Sequence, residues 1–501
     1  MDAQTGRFKS PLTESRAKTA PIPAGSGFDA GARGAALQSP LTLIRLDQAD
    51  PLSSMRLDLT MAPASRRDLG APGRALALVL FLAAIAVRLP EVIVKGRFYA
   101  EEGPFFFGYA WHMPWRDALF HTLGGYLNIV ASATTLADAT LVRAGWLSLD
   151  HAPYFTQGVA LAFQACPAVV ILTARADWLT GRWRRLAALA LVATAPLAEQ
   201  VWLHTLHSQF HLGLAAAIIL ALEAEAGPLV AAFRLGVLAL GPLCGPASIL
   251  LAPFFVARAA LERTPARAVQ AAATVLGAAV QLALFYAGSR ARGFGIDAPT
   301  LLSVLAVRHI ALPLFGPDVA MGLAAAARVA LRAGAIPWGA VGLGAAAVLG
   351  VLGFAATRWR RPEAWLIVAA LVLAVVSYIG GIRSGPLMLD PAFAGRYAFA
   401  PQVLLDLAAL AACEVHPRAR WLVGWLIAVG LYAGLTPLPD IAHGPDWRAE
   451  VEAWRADPQH RLQVWPKGWL LDLAPGGRAC LPAAVEDPEA PDYCDQAWEK
   501  L

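Results

Sequence analysis

Two adjacent carboxylates, Glu101 and Glu102, stand in the stretch Arg97-Phe98-Tyr99-Ala100-Glu101-Glu102-Gly103-Pro104-Phe105-Phe106-Phe107, directly after the first long apolar run of the chain. A glutamate placed beside a hydroxyl can take its proton as a general base. A carboxylate pair can also hold a divalent cation, Mg2+ or Mn2+, between its oxygens. Pro104 suits the first turn of a helix, which would leave the pair in irregular backbone just ahead of a helix N-terminus. The helix dipole there favours the ionised carboxylates, while the like charge of the neighbour tends to raise one of the two pKa values. Alone, such a pair is more simply a solvated loop that ends a helix. Arg97, Tyr99 and three consecutive phenylalanines around it point to chemistry.

Other polar residues stand out against the apolar background. His204, His207 and His211 follow i, i+3, i+7 spacing, which places them on one helix face as a metal or phosphate site. One functional histidine, His207 or His211, is expected rather than a three-histidine metal centre. Arg396 and Tyr397 open an apolar run, and Arg383 closes the preceding one at the same level. Guanidinium forks match phosphate oxygens and can stabilise a departing phosphate. Snorkelling at the membrane surface is the plainer role of such arginines, and for Arg383 it weighs equally. Arg88, inside the first apolar run, has Glu91 within reach at i+3, a structural pair. Neither a Walker A motif, nor a Rossmann glycine pattern, nor His-Glu-x-x-His occurs.

The elements that must position these residues follow from composition. The 501 residues are 57% hydrophobic and 15% charged, with mean hydropathy +0.52. A soluble domain carries about 25% charged residues, so this is an integral membrane protein, all-α and polytopic. The net charge of +5 is small, and no basic-aromatic run suggests a nucleic-acid partner. Residues 1–73 read as a disordered cytoplasmic leader. Residues 74–440 form the transmembrane domain, and 441–501 an extracytoplasmic C-terminal tail. Basic clusters near 175–185, 258–267, 358–361 and 418–420 belong in the cytoplasm by the positive-inside rule. Satisfying them gives about eleven spans of the length a bilayer demands: near 75–94, 153–174, 186–203, 211–226, 229–243, 244–260, 267–288, 336–357, 364–383, 396–414 and 419–437. The N-terminus is then inside, and 124–145 and 301–334 are interfacial or re-entrant on the outer side. The glutamate pair, the histidines, Arg396 and the tail all fall on the outer face. Of five cysteines, Cys166, Cys244 and Cys413 lie in apolar runs. Cys480 and Cys494 could close a disulfide in an extracytoplasmic tail.

An acidic pair in the first outer loop resembles the GT-C superfamily of polytopic membrane glycosyltransferases. Gly125-Tyr126-Leu127-Asn128, His207-Ser208-Gln209-Phe210-His211, Gly245-Pro246-Ala247-Ser248 and Gly395-Arg396-Tyr397-Ala398-Phe399-Ala400-Pro401 look like polar islands of a bacterial subgroup. The resemblance spans roughly residues 75–440 and departs in carrying Glu-Glu where many relatives have an Asp. It implies a polyprenyl-phosphate-linked sugar donor and a glycan, lipid or protein acceptor on the outer face of the bacterial inner membrane. Catalytic Glu101 and Glu102 would act with a donor phosphate held by Arg396, Tyr397, His207, His211 and Arg383. Transfer would invert the anomeric centre. The rival expectation is a polytopic transporter or lipid-linked glycan flippase, because short helices near 211–260 resemble the broken spans of such proteins.

Overall fold

A computed structural model describes residues 68–287, 295–380, 385–435 and 438–475, all within one compact unit, Pro63–Leu501. The expected leader up to residue 67, Arg383, and the Cys480 and Cys494 pair lie outside the described residues. The chain is mostly helical, with two short antiparallel strand pairs, Thr122–Leu123 with Tyr126–Leu127 and Leu462–Val464 with Trp469–Leu471.

Six described helices are long and apolar enough to cross a membrane: Ala71–Arg88, Leu149–Thr173, Pro265–Tyr286, Ala298–Phe315, Trp338–Thr357 and Pro362–Ile379. They carry exposed apolar side chains such as Leu76, Val79, Leu80, Leu276, Leu349 and Leu352. A contiguous apolar exterior of that kind needs a lipid surround. The fold is an all-α membrane protein.

The expected spans at 211–226, 396–414 and 419–437 correspond to shorter helices, Ser208–Ala221, Arg396–Ala412 and Ala419–Gly434, and the pattern departs further in three places. The stretch 301–334, expected to lie in the interface, contains the spanning-length helix Ala298–Phe315, followed by Pro317–Arg332. Pro228–Cys244 and Pro246–Glu262, read as two spans, form a pair bent by 118° that makes one broken span or a re-entrant loop. The bend falls at Gly245, φ +148°, where a Cβ would collide with the Gln209 side chain. Hydropathy sees the apolar residues on both sides and not the turn that admits Gln209. The run 186–203 ends early, because Arg182–Ala193 stops before Pro196. Residues 197–207 then continue as buried turns, irregular backbone that membrane proteins allow only where protein encloses it. The spans recognisable by length and composition number six, or up to seven with the bent pair.

The tail does dock, and it docks on the first loop. Trp447 and Val451 of the Trp447–Ala456 helix, with Leu462, Val464 and Leu471 of the hairpin, bury against Phe98, Phe107, Ala110 and Leu149. Trp465 N–H donates to the Phe98 carbonyl at 3.1 Å, and Ala100 N–H donates to the Trp465 carbonyl. The strand-like segment before the two glutamates is therefore clasped by the tail.

Candidate functional site

The glutamates occupy a 3₁₀ turn, Ala100–Glu102, that runs through a π-turn, Gly103–Phe107, into the Gly108–His112 helix. They form the first turn of the helical run rather than a loop ahead of it, and the two side chains part. Glu102 is fully buried. Its Oε1 accepts from Thr205 N–H at 2.7 Å and Thr205 Oγ1–H at 2.5 Å, and its Oε2 accepts from Tyr99 N–H at 3.2 Å. Burial raises its pKa, opposed by the Thr205 and Tyr99 hydrogen bonds and the nearby Arg97 charge. The expected cause, repulsion from its neighbour, is not what moves it. Glu101 is half-buried and forms no hydrogen bond or ion pair with a described residue. Both Glu102 oxygens are engaged by protein donors, Oε1 by Thr205 and Oε2 by Tyr99. No group of three or more His, Cys, Asp or Glu that could hold a metal occurs among the described residues.

Arg97 is buried between the Tyr99 and Trp465 rings, 4.9 and 5.3 Å from their centroids. It donates to the carbonyls of Ile441 and Trp202, both at 2.9 Å. Burial lowers its pKa to about 10, which leaves it charged at neutral pH.

The three histidines do not share one helix face. Ser208 begins the helix, so His204 lies in the preceding turns and His207 at the cap. The Gln200 carbonyl accepts from both, from His204 Nε2–H at 2.6 Å and His207 Nδ1–H at 2.9 Å. A carbonyl only accepts, so these bonds fix both tautomers and leave the lone pair of His207 on Nε2. Burial, then Arg97 for His204 and His204 with Arg396 for His207, hold both imidazoles far below their usual pKa. Both are neutral. His211, a turn deeper, is fully buried between Trp202 and Phe399, with ring centroids 4.5 and 4.9 Å away.

Arg396 and Tyr397 open the Arg396–Ala412 helix, both half-buried. Arg396 Nη1 donates to Gln200 Oε1 at 3.3 Å, and its guanidinium lies 4.8 Å from the Tyr397 ring centroid. Burial disfavours its charge, but Tyr397, Glu101 and Tyr99 outweigh burial and raise its pKa. Glu101 is thus close enough to act on Arg396. At Gly395 any Cβ would overlap the Leu197 carbonyl oxygen, which explains the glycine of the Gly-Arg-Tyr island.

The other islands join the same cluster. Asn128 Nδ2–H donates to the Leu206 carbonyl at 2.8 Å while its Oδ1 caps the Ile129–Arg143 helix. Gln209 reaches Tyr126 Oη at 3.5 Å, and Gly245 lies against Gln209. Four of the five described non-glycine residues with positive φ precede this cluster: Ala100, Leu197, Leu203 and Ala394, at 47°, 52°, 62° and 52°. Such conformations cost about 1–3 kcal/mol each and gather where a site must hold side chains in place.

Three participants have no counterpart in the sequence reading. Thr205 and the Gln200 carbonyl act through hydrogen bonds that no motif announces. Asp138 is fully buried with both carboxyl oxygens lacking partners among the described residues. Burial and then Glu102 push its pKa up to about 9. A lone acid in the otherwise apolar and Thr-rich helix Ile129–Arg143 was the available signal. The expected Arg88–Glu91 pair is not formed. Arg88 pairs with Glu199 at 2.5 Å, whereas Glu91 binds Lys95 and His443, each at 2.6 Å.

Compared with protein-family models, with curated proteins and with solved structures, the chain matches none.

Proposed function

We propose that this protein is a GT-C-type glycosyltransferase of the bacterial inner membrane. It moves a sugar from a polyprenyl-phosphate donor to a glycan, lipid or protein acceptor on the outer face. The observation that carries this reading is the opposition of Glu101, half-buried with no hydrogen bond to a described residue, and the charged Arg396 that it acts upon. A carboxylate and a guanidinium close enough to interact suit a displacement in which a hydroxyl loses a proton while an anion departs.

In that displacement the acceptor oxygen attacks the anomeric carbon as its proton passes to a Glu101 carboxylate oxygen. The bond from that carbon to the phosphate oxygen breaks, and its electron pair leaves on the phosphate, where Arg396 neutralises the growing charge. Tyr397 flanks the guanidinium. Neutral His207 offers its Nε2 lone pair to a sugar hydroxyl. Glu102, buried and triply hydrogen-bonded, ties the glutamate turn to Thr205 and does not meet the acceptor. This division narrows the general base to Glu101.

A second reading, transport of a lipid-linked glycan, is favoured by the 118° bend at Gly245 and by a polar chain inside the bundle. There Tyr378 donates to His309 at 2.9 Å, His309 to Gln402 at 3.1 Å, and Gln402 to Asp406 at 2.7 Å. Proteoliposomes loaded with a polyprenyl-phosphate sugar separate the two. The transferase reading expects cleavage of the donor with release or transfer of sugar. Movement of intact donor between leaflets without cleavage would overturn it.

A further inference from the structure

Arg308 is 1% exposed and lies within the apolar helix Ala298–Phe315, at a π-turn spanning Val307–Ala311. A guanidinium at such a place must be paired with acids or with backbone carbonyls. Among the described residues Arg308 has no ion pair with a carboxylate. Its Nε–H donates to the Met388 carbonyl at 2.8 Å, and its Nη2 donates to the carbonyls of Asp390, at 2.5 Å, and Phe393. One rigid fork therefore gathers three carbonyls of a segment without α-helix or strand. That segment leads directly into Ala394, with φ +52°, then Gly395, pressed against the Leu197 carbonyl, then Arg396.

The neighbouring His309 is tied elsewhere. Its Nδ1–H donates to Gln402 of the Arg396–Ala412 helix, and its Nε2 accepts from Tyr378. The π-turn thus links the Ala298–Phe315 helix both to the helix that begins with Arg396 and to the segment that delivers Arg396. π-turns are rare and recur at functional sites. Two occur among the described residues, and the other directly follows Glu102.

We propose that Arg308 is a positioning residue: by gathering the carbonyls of residues 388–393 it sets the place of Arg396, and through Arg396 the affinity of the site for a phosphate ester. This rests on the phosphate-binding role given to Arg396 above. It extends that role to a residue buried in the bundle with no contact to substrate.

The test is a double-mutant cycle in the purified full-length protein, with farnesyl phosphate as the probe and binding read by calorimetry. Arg308→Lys keeps the charge but loses the fork, and is expected to weaken binding about 10-fold. Arg396→Gln should weaken it at least as much, and the double variant no further, because residues acting through one another are not additive. Hydrogen exchange of segment 385–396 should rise in Arg308→Lys and stay unchanged in Arg396→Gln. Additive losses, or unchanged affinity in Arg308→Lys, overturn the proposal. Gly395→Ala displaces Arg396 with Arg308 intact and should reproduce the loss. If Arg308→Lys does not fold, unchanged affinity in Gly395→Ala overturns it instead. Wild-type protein that binds no farnesyl phosphate overturns the phosphate reading of the site as well, whereas tight wild-type binding with additive losses overturns the positioning role alone.

Discussion

At Arg185 the guanidinium donates to the carbonyls of Leu172, Leu179 and Ala174, at 2.5, 3.2 and 3.0 Å, and pairs with Asp68 at 3.0 Å. Arg396 donates to Gln200, is also bonded to Tyr397, and is acted on by the charge of Glu101, which has no hydrogen-bond partner among the described residues. Arg185 lies in the first turn of the 12-residue helix Arg182–Ala193, whose last carbonyl accepts from Arg88, about 12 Å along the axis from Arg185. Arg267 resembles Arg185: it is fully buried and bonded to Glu262, Gln270 and the Leu222 carbonyl. Saturated guanidiniums of this kind close helix ends and join turns, and their donors are spent. On the proposed function, a half-buried guanidinium near a carboxylate with none of its lone pairs taken by a described residue is where a phosphate would be received. The difference separates arginine as architecture from arginine as chemistry, which residue type alone does not reveal.

The largest effect is expected from removing both poles of the half-buried pair. Glu101→Gln with Arg396→Gln should lower sugar transfer more than about 1,000-fold, since a positioned base and an oxyanion donor each contribute about 100-fold or more. Thermal unfolding should scarcely move. A variant that unfolds early instead would return Arg396 to the architectural class. Arg396→Lys alone, keeping charge and losing the fork, should cost roughly 10- to 100-fold in turnover. Arg185→Met should do the reverse. Stranding buried carbonyls costs about 1–3 kcal/mol each, so the unfolding temperature falls while turnover per folded molecule holds. Glu102→Gln lies between the two, because its new amide faces the Tyr99 N–H, donor against donor. A loss of about 1–3 kcal/mol in stability is expected, with only partial loss of turnover.

The smallest net effect is that of pH, because buried histidines and buried acids oppose one another. Burial lowers His121 to about 4 and holds His204 and His207 far below their usual value. The unfolded chain takes up protons near pH 6.5 that the folded chain refuses. Each histidine therefore contributes its full stability above about pH 6.5 and loses up to about 1.4 kcal/mol per pH unit below it, whereas Asp138, protonated in the fold up to about 9, adds about as much per unit as pH falls through the same range. Below about pH 6.5 the three histidines outweigh that one acid and stability declines. Unfolding followed from about pH 6.5 to 5 in Asp138→Asn protein isolates their sign, and stability rising as pH falls there would mean that the imidazoles are paired as cations.

Much of the cluster was legible because polar residues are conspicuous in an apolar chain. His207 and Arg396, 189 positions apart in the sequence, both bind Gln200, and Glu101 acts on Arg396 from a third stretch. What the sequence hid was direction and partner. Adjacent glutamates look equivalent in a string, and only the fold turns Glu102 inward to Thr205 and leaves Glu101 outward. Arg88 has a plausible acid at i+3, yet its partner Glu199 comes from a distant turn. Arg308 binds backbone carbonyls, which carry no residue-type signal at all. The spans followed the same logic. Hydropathy located apolar helices such as Ala71–Arg88 and Pro362–Ile379, but it could not register the bend at Gly245 or the early stop before Pro196.

The division of labour between the two glutamates is tested most directly by sugar release from a polyprenyl-phosphate donor, with purified wild-type protein beside Glu101→Gln and Glu102→Gln at matched amounts of folded protein. The predicted result is release by wild type, at least about 100-fold slower release by Glu101→Gln, and measurable release by Glu102→Gln. Release by Glu101→Gln at the wild-type rate, with Glu102→Gln folded and inactive, would contradict it.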